Sequence, residues 1–184
     1  MMRTIRRESL RWAIYLFILY SSLGCKEVVK RRDPTGASFT IVTGEALDQK
    51  SWSLPQAWRG DPVVVLIGYV QEAQFDIDRW LIGLDMTQTR VKIFEVPTIS
   101  GLVPSIISQR INEGMRSGIP RPIWSAVITV YEDAGKLEQF TGTERPRNAR
   151  VLLLDREGTV RFFKDEGFSV LGLNELKATL DTIK

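Results

Sequence analysis

The chain has 184 residues, 43% of them hydrophobic and 26% charged, which fits one domain with an appendage and enough apolar residues for a core. Its excess of positive charge sits in residues 1–24, where Arg3, Arg6, Arg7 and Arg11 face Glu8 alone; beyond them the two signs balance, so nucleic-acid binding loses the basic face it needs. There is no histidine and Cys25 is the only cysteine, so a metalloenzyme, a Ser-His-Asp hydrolase, a CxxC redox pair and an internal disulfide are excluded by inventory.

Carboxylate or lysine chemistry stays open, but no arrangement of residues points to it. No cofactor and no metal are expected. In chain order, a basic stretch over residues 1–11 is followed by a charge-free apolar run over residues 12–23. That run suits the apolar region of a signal peptide and falls short of the about 20 residues that a membrane span needs. The sequence Ser22-Leu-Gly-Cys25, with a small residue directly before the cysteine, resembles a bacterial lipoprotein lipobox, although Ser22 stands where leucine is usual. The resemblance implies that residues 1–24 are a signal peptide and that Cys25 carries lipid as the first residue of the mature protein. It places the chain in the bacterial cell envelope, membrane-anchored on the periplasmic or extracytoplasmic face. Lys26 stands where inner-membrane retention commonly uses aspartate, so an outer-membrane destination is preferred. An uncleaved signal anchor with Cys25 as an ordinary thiol, and a free secreted form, remain the alternatives.

Residues 25–37 read as the lipidated cysteine and a flexible tether, with Pro34 and Gly36 breaking regular structure. Lys30, Arg31 and Arg32 are either a solvated linker, the simpler reading, or contacts for anionic headgroups.

Residues 38–184 read as one α/β domain. Residues 38–42 alternate enough for a first strand, Gly44 reads as a turn, and a second short element lies near Leu54. Residues 63–70, a continuous β-branched apolar run, predict a strand buried on both faces. Ile77, Trp80, Leu81 and Leu84 predict a helix over residues 71–84. A strand over 91–96, a helix over 105–115, a proline-rich break over 118–122, a strand over 126–131 and a single helical turn over 136–140 follow. Residues 150–155 and 159–163 predict a hairpin turning at Gly158, and Leu173, Leu176, Leu180 and Ile183 a closing amphipathic helix. Strands alternating with helices imply a mixed central sheet covered on both faces, with the hairpin adding an antiparallel edge.

This order resembles the thioredoxin superfamily in its redoxin-type form. The likeness covers about residues 38–184 and rests on Phe39, Leu54, Gly60, Pro62, the strand at 63–66 and the run Leu152-Leu-Leu-Asp-Arg-Glu-Gly158-Thr-Val160. In that superfamily reactive cysteines follow the first central strand, a place held here by Tyr69, Val70, Gln71, Glu72, Ala73 and Gln74. Its cis-proline precedes the hairpin strand, where this chain has Arg150 and an ordinary trans bond is expected. Within the superfamily the chain is most similar to the mitochondrial ATP synthase assembly factor group that lacks CxxC. That likeness is carried by residues 91–96 and by ARVLLLDREGTVRFFKDEGFS over residues 149–169. It implies a membrane-associated, non-redox scaffold that engages other proteins.

Four residues are candidates for partner binding. Tyr69, Arg147, Asn148 and Arg150 lie by analogy beside the emptied redox site, with a solvated loop as the plainer reading of Arg147, Asn148 and Arg150. Trp52, Trp58, Trp80 and Trp124 are core residues or a recognition surface, with partial exposure expected for Trp58 and Trp124. Glu72, Asp76 and Asp78 read as a solvated helix face, since calcium-loop spacing is absent. Gly114, Gly118, Pro120 and Pro122 frame either a mobile binding loop or a connector, and Asp133-Ala-Gly135 reads as a turn. The expected function is protein binding by a membrane-anchored, non-enzymatic domain, in its narrower form an assembly factor for a membrane complex. The expected partners are a lipid membrane through Cys25 and envelope proteins; a thiol-independent envelope enzyme and a small-ligand carrier are the alternatives.

Overall fold

The computed structural model describes residues 28–101 and 105–183, so the predicted signal peptide and Cys25 lie outside the described residues. In chain order the elements are β1 (Val42–Ala46), β2 (Ser51–Leu54), β3 (Val63–Gly68), α1 (Gln74–Met86), β4 (Lys92–Pro97), α2 (Ser105–Gly118), β5 (Ile128–Thr129), α3 (Ala134–Thr141), β6 (Arg150–Leu154), β7 (Val160–Lys164) and α4 (Val170–Ile183). Short 3-10 turns at Gln56–Trp58, Gln71–Ala73 and Arg121–Ala126 join them.

The apolar run predicted to be buried on both faces forms the centre, together with the first strand of the predicted hairpin. β3 is buried at all six positions and β6 at all five. They pair antiparallel, β4 pairs parallel with β3, and β7 completes the hairpin, giving the order β4-β3-β6-β7. Side chains alternate along β3. Val63, Val65 and Ile67 face a cluster with Phe39, Trp58, Phe94 and Leu152, while Val64 and Leu66 face Trp80, Leu84, Leu173 and Leu176 from α1 and α4. Each fully buried aliphatic side chain contributes roughly 1.5–3 kcal/mol, so this two-sided core, and not any ion pair, carries the stability of the fold.

A second sheet, β2-β1-β5, is antiparallel throughout and adjoins the first through bridges from Val127 to Glu95 and from Val130 to Thr98. Here the sequence misleads. The first strand starts at Val42 instead of residue 38, and Ser38 makes only a bridge to Thr159. Gly44 is no turn but a strand residue, because a Cβ there would lie 2.6 Å from Ile128 Cγ2. The helix predicted to end at residue 115 runs on to Gly118, so Gly114 belongs to a helix and not to a loop. The 3-10 turn at Arg121–Ala126 shortens the predicted strand to the two residues of β5. The single turn predicted over 136–140 is an eight-residue helix that takes in Ala134 and Gly135.

The predicted tether has no regular structure, but residues 29–37 do not hang free. Val29 and Thr143 exchange two hydrogen bonds: the Val29 amide donates to Thr143 Oγ1 at 2.9 Å, and the Thr143 amide donates to the Val29 carbonyl at 2.8 Å. The Arg32 amide donates to the Thr141 carbonyl, and the Gly36 amide to the Val160 carbonyl. These contacts are made mostly by backbone groups, which a reading of the polar side chains does not display.

Candidate functional site

The C-terminal end of β3, the start of α1 and the start of β6 converge, because β3 pairs antiparallel with β6 and sets Ile67 opposite Arg150. The Arg150 guanidinium lies over the Tyr69 ring, 5.0 Å from its centroid. The two positions that the resemblance singled out are therefore in contact.

Both are interior. Tyr69 is 7% exposed and Arg150 is 0% exposed. Arg150 Nη1 donates to the carbonyls of Arg145 at 2.5 Å and Asn148 at 2.8 Å, and Nη2 donates to the Gly142 carbonyl at 3.0 Å. Its Nε has no hydrogen-bond partner among the described residues. Burial lowers the guanidinium pKa, against the pull of Tyr69 and Asp165. The Tyr69 hydroxyl donates to the Leu137 carbonyl at 2.7 Å and shares a hydrogen bond of the same length with Thr141 Oγ1. Burial pushes that hydroxyl well above the ordinary tyrosine value, so it stays protonated at neutral pH. Carbonyl dipoles and an aromatic face, the latter worth about 2 kcal/mol when water is excluded, surround the Arg150 cation.

Tyr69 and Arg150, two of the four candidates for partner binding, are thus interior to the folded domain. Asn148 is half-buried, and its Nδ2 donates to the Asp165 carbonyl at 3.0 Å. Arg147 is exposed and stands apart from this network. The peptide bond before Arg150 is trans, the one cis bond among the described residues being Leu54–Pro55.

Two carboxylates complete the site. Asp76, expected on a solvated face, is buried: its Oδ2 accepts from the Ala149 amide at 2.9 Å and its Oδ1 from the Phe168 amide at 2.7 Å. A signal existed, for Asp76 stands four residues before the core Trp80, on the same helix face. Glu72 and Asp78 are exposed as expected. Asp165, also buried, accepts from Arg31 Nε at 3.0 and 3.2 Å and from Arg145 Nη1 at 3.4 Å. No local pattern marks that contact, because Arg31 and Asp165 are 134 residues apart.

The tryptophans do not form one surface. Trp80 is core, as expected, and Trp52 is half-buried against Phe94. Trp58, expected to be partly exposed, is buried against Phe39 and Phe94, because the turn at Gln56–Trp58 folds it inward. Trp124 is half-buried, with the guanidinium groups of Arg116 and Arg121 over its ring. Two open depressions, of about 320 and 420 Å³, lie beside Asp61 and Lys92 and beside Arg32 and Lys136. Neither borders Tyr69, Arg150, Asp76 or Asp165.

No protein-family model matches the sequence, and no curated protein matches it. Solved structures do match in shape. BsSco, a member of the Sco family of cytochrome c oxidase assembly proteins, superposes with a TM-score of 0.54 at 12% identity, over 84% of this chain and 99% of its own. A thiol peroxidase from Chromobacterium violaceum gives 0.53 at 11% identity, over 86% and 94%. The thioredoxin domain of a thiol-disulfide oxidoreductase from Bacteroides vulgatus gives 0.50 at 15% identity, over 83% and 100%. The mixed sheet with its flanking helices is thus a thioredoxin-like α/β fold, and at these identities the likeness concerns the fold alone. Residues 38–184 contain no cysteine, so the thiol named for two of these proteins has no equivalent in this domain.

Proposed function

We propose that this chain is a membrane-anchored lipoprotein of the bacterial cell envelope whose thioredoxin-like domain acts by binding proteins and performs no redox chemistry. Its narrower form is an assembly factor for a membrane complex, akin to the mitochondrial ATP synthase assembly factor group. The observation that carries this reading is the buried Tyr69–Arg150 pair: the place where the superfamily keeps its reactive groups is filled by a buried cation, a protonated hydroxyl and their carbonyl partners. The assembly role named for BsSco supports the narrower form by analogy of fold. The envelope-enzyme and ligand-carrier alternatives draw no support from the two open depressions, neither of which borders Asp76 or Asp165.

The test is capture of the lipidated chain from crosslinked membranes. A reproducible membrane-complex partner is expected, and recovery of none overturns the assembly reading. Replacing the anchor, Cys25→Ala, should release the domain or leave unprocessed precursor. An unchanged membrane fraction at unchanged size overturns anchoring through Cys25.

A further inference from the structure

Five exposed apolar side chains share one end of the domain. Val28, Val70, Phe75, Val170 and Leu171 are between 37% and 72% exposed. β3 runs toward this end and leads into Val70; α1, bearing Phe75, begins there. β7, antiparallel to β6, finishes there and leads through residues 165–169 to Val170 and Leu171 at the start of α4. Hydrogen bonds and a cation–π contact tie these pieces together: Asp76, next to Phe75, accepts from the amides of Ala149 and Phe168, and Arg150 joins Tyr69 to Gly142. Val28 joins them because residues 29–32 dock on Thr141, Thr143 and Asp165.

We infer that this end is a lipid-contacting surface, with Val28, Phe75, Val170 and Leu171 seated in the bilayer interface. The inference rests on the membrane-anchored reading above, and the length of the connection supplies the occupant. Only three residue steps separate Cys25 from Val28, and Val29 is already fixed to the domain. Three steps reach at most about 11 Å, roughly one helix diameter. An anchor at residue 25 leaves the domain little slack to turn another face to the membrane. Apolar side chains exposed at that end then lose water to acyl chains, which is favourable in proportion to the area covered. Lys30 and Arg32, exposed beside them, face the headgroups, whereas Arg31 is held by Asp165.

The experiment places p-benzoylphenylalanine in the full chain at Phe75, at Leu171 or at Arg156, an exposed residue in the β6–β7 turn at the opposite end. All three side chains are exposed, so the core is untouched. Membranes of the producing cells are irradiated, and adducts on the purified chain are identified by mass spectrometry. Lipid adducts severalfold more abundant at positions 75 and 171 than at 156 are expected. A chain that pellets with membranes yet carries equal lipid adducts at all three positions overturns the inference and spares the anchored reading. Protein adducts in place of lipid at positions 75 and 171 also overturn it and give this end to a protein partner. A chain that does not pellet with membranes overturns both.

Discussion

Where β3 begins, charge stays in water: Lys92 and Asp61 pair at 2.6 Å with side chains 65% and 58% exposed. Where β3 ends, the carboxylates of Asp76 and Asp165 and the guanidinium of Arg150 are all buried. The first arrangement is screened by solvent and salt and holds nothing in place. In the second, each buried charge has fixed donors or acceptors, and removing one partner leaves another polar group stranded without water. A buried polar cluster at the usual reactive end of a thioredoxin-like fold can therefore be scaffolding. Proximity and burial alone do not make a catalyst.

Asp76→Ala is the harshest test of that contrast. It strands the buried amide of Ala149, at about 1–3 kcal/mol, and the partly buried amide of Phe168, at less, so a loss of about 2–3 kcal/mol is expected, read as a lower urea midpoint. A midpoint within error of the parent would mean that water reaches this end freely. Arg31→Gln comes next. Asp165 then keeps only the longer contact to Arg145, and up to about 1 kcal/mol is lost, with faster exchange of the Val29 and Thr143 amides.

Glu95→Gln should act in the opposite direction. Burial first, and then the charge of Asp78, push the Glu95 carboxyl up, while the hydrogen bond from Gln74 opposes them. A folded-state pKa above the unfolded one favours the protonated form, so the stability linked to Glu95 is present below the ordinary carboxylate range and is lost as pH rises through the raised value. The amide removes that loss. A gain of less than about 1 kcal/mol near neutral pH, shrinking toward about pH 4, is expected in thermal melts. An equal effect at both pH values would rule out this linkage. Lys92→Ala, at the solvated end, should leave the melting temperature unchanged, and a clear drop would erase the difference between the ends.

Much of the fold was legible because burial on two faces writes itself as runs such as Val63-Val-Val-Leu-Ile and Val151-Leu-Leu-Leu, while α1 and α4 show their cores at helical spacing. The second sheet was less so. Gly44 carries a turn signal, and only the approach of Ile128 shows why the residue must be small. The site was legible in position but not in depth. Resemblance brought Tyr69 and Arg150 to one place, yet whether they point outward depends on Gly142, Arg145 and Leu137, whose carbonyls no residue pattern announces. Arg31 with Asp165 is harder still, since a contact across 134 residues leaves no local trace.

That separation also sets an order of events during synthesis. Residues 29–32 have nothing to grip until Thr141, Thr143 and Asp165 have been made, so this segment is among the last to be fastened. Gly142 governs the fastening: it sits at φ +81°, and a Cβ there would meet the Lys30 carbonyl and Arg31 Cα at 2.6 Å. While the nascent chain is emerging, residues 29–32 have no docking site; once the last third of the chain has folded, they are held by Thr141, Thr143 and Asp165.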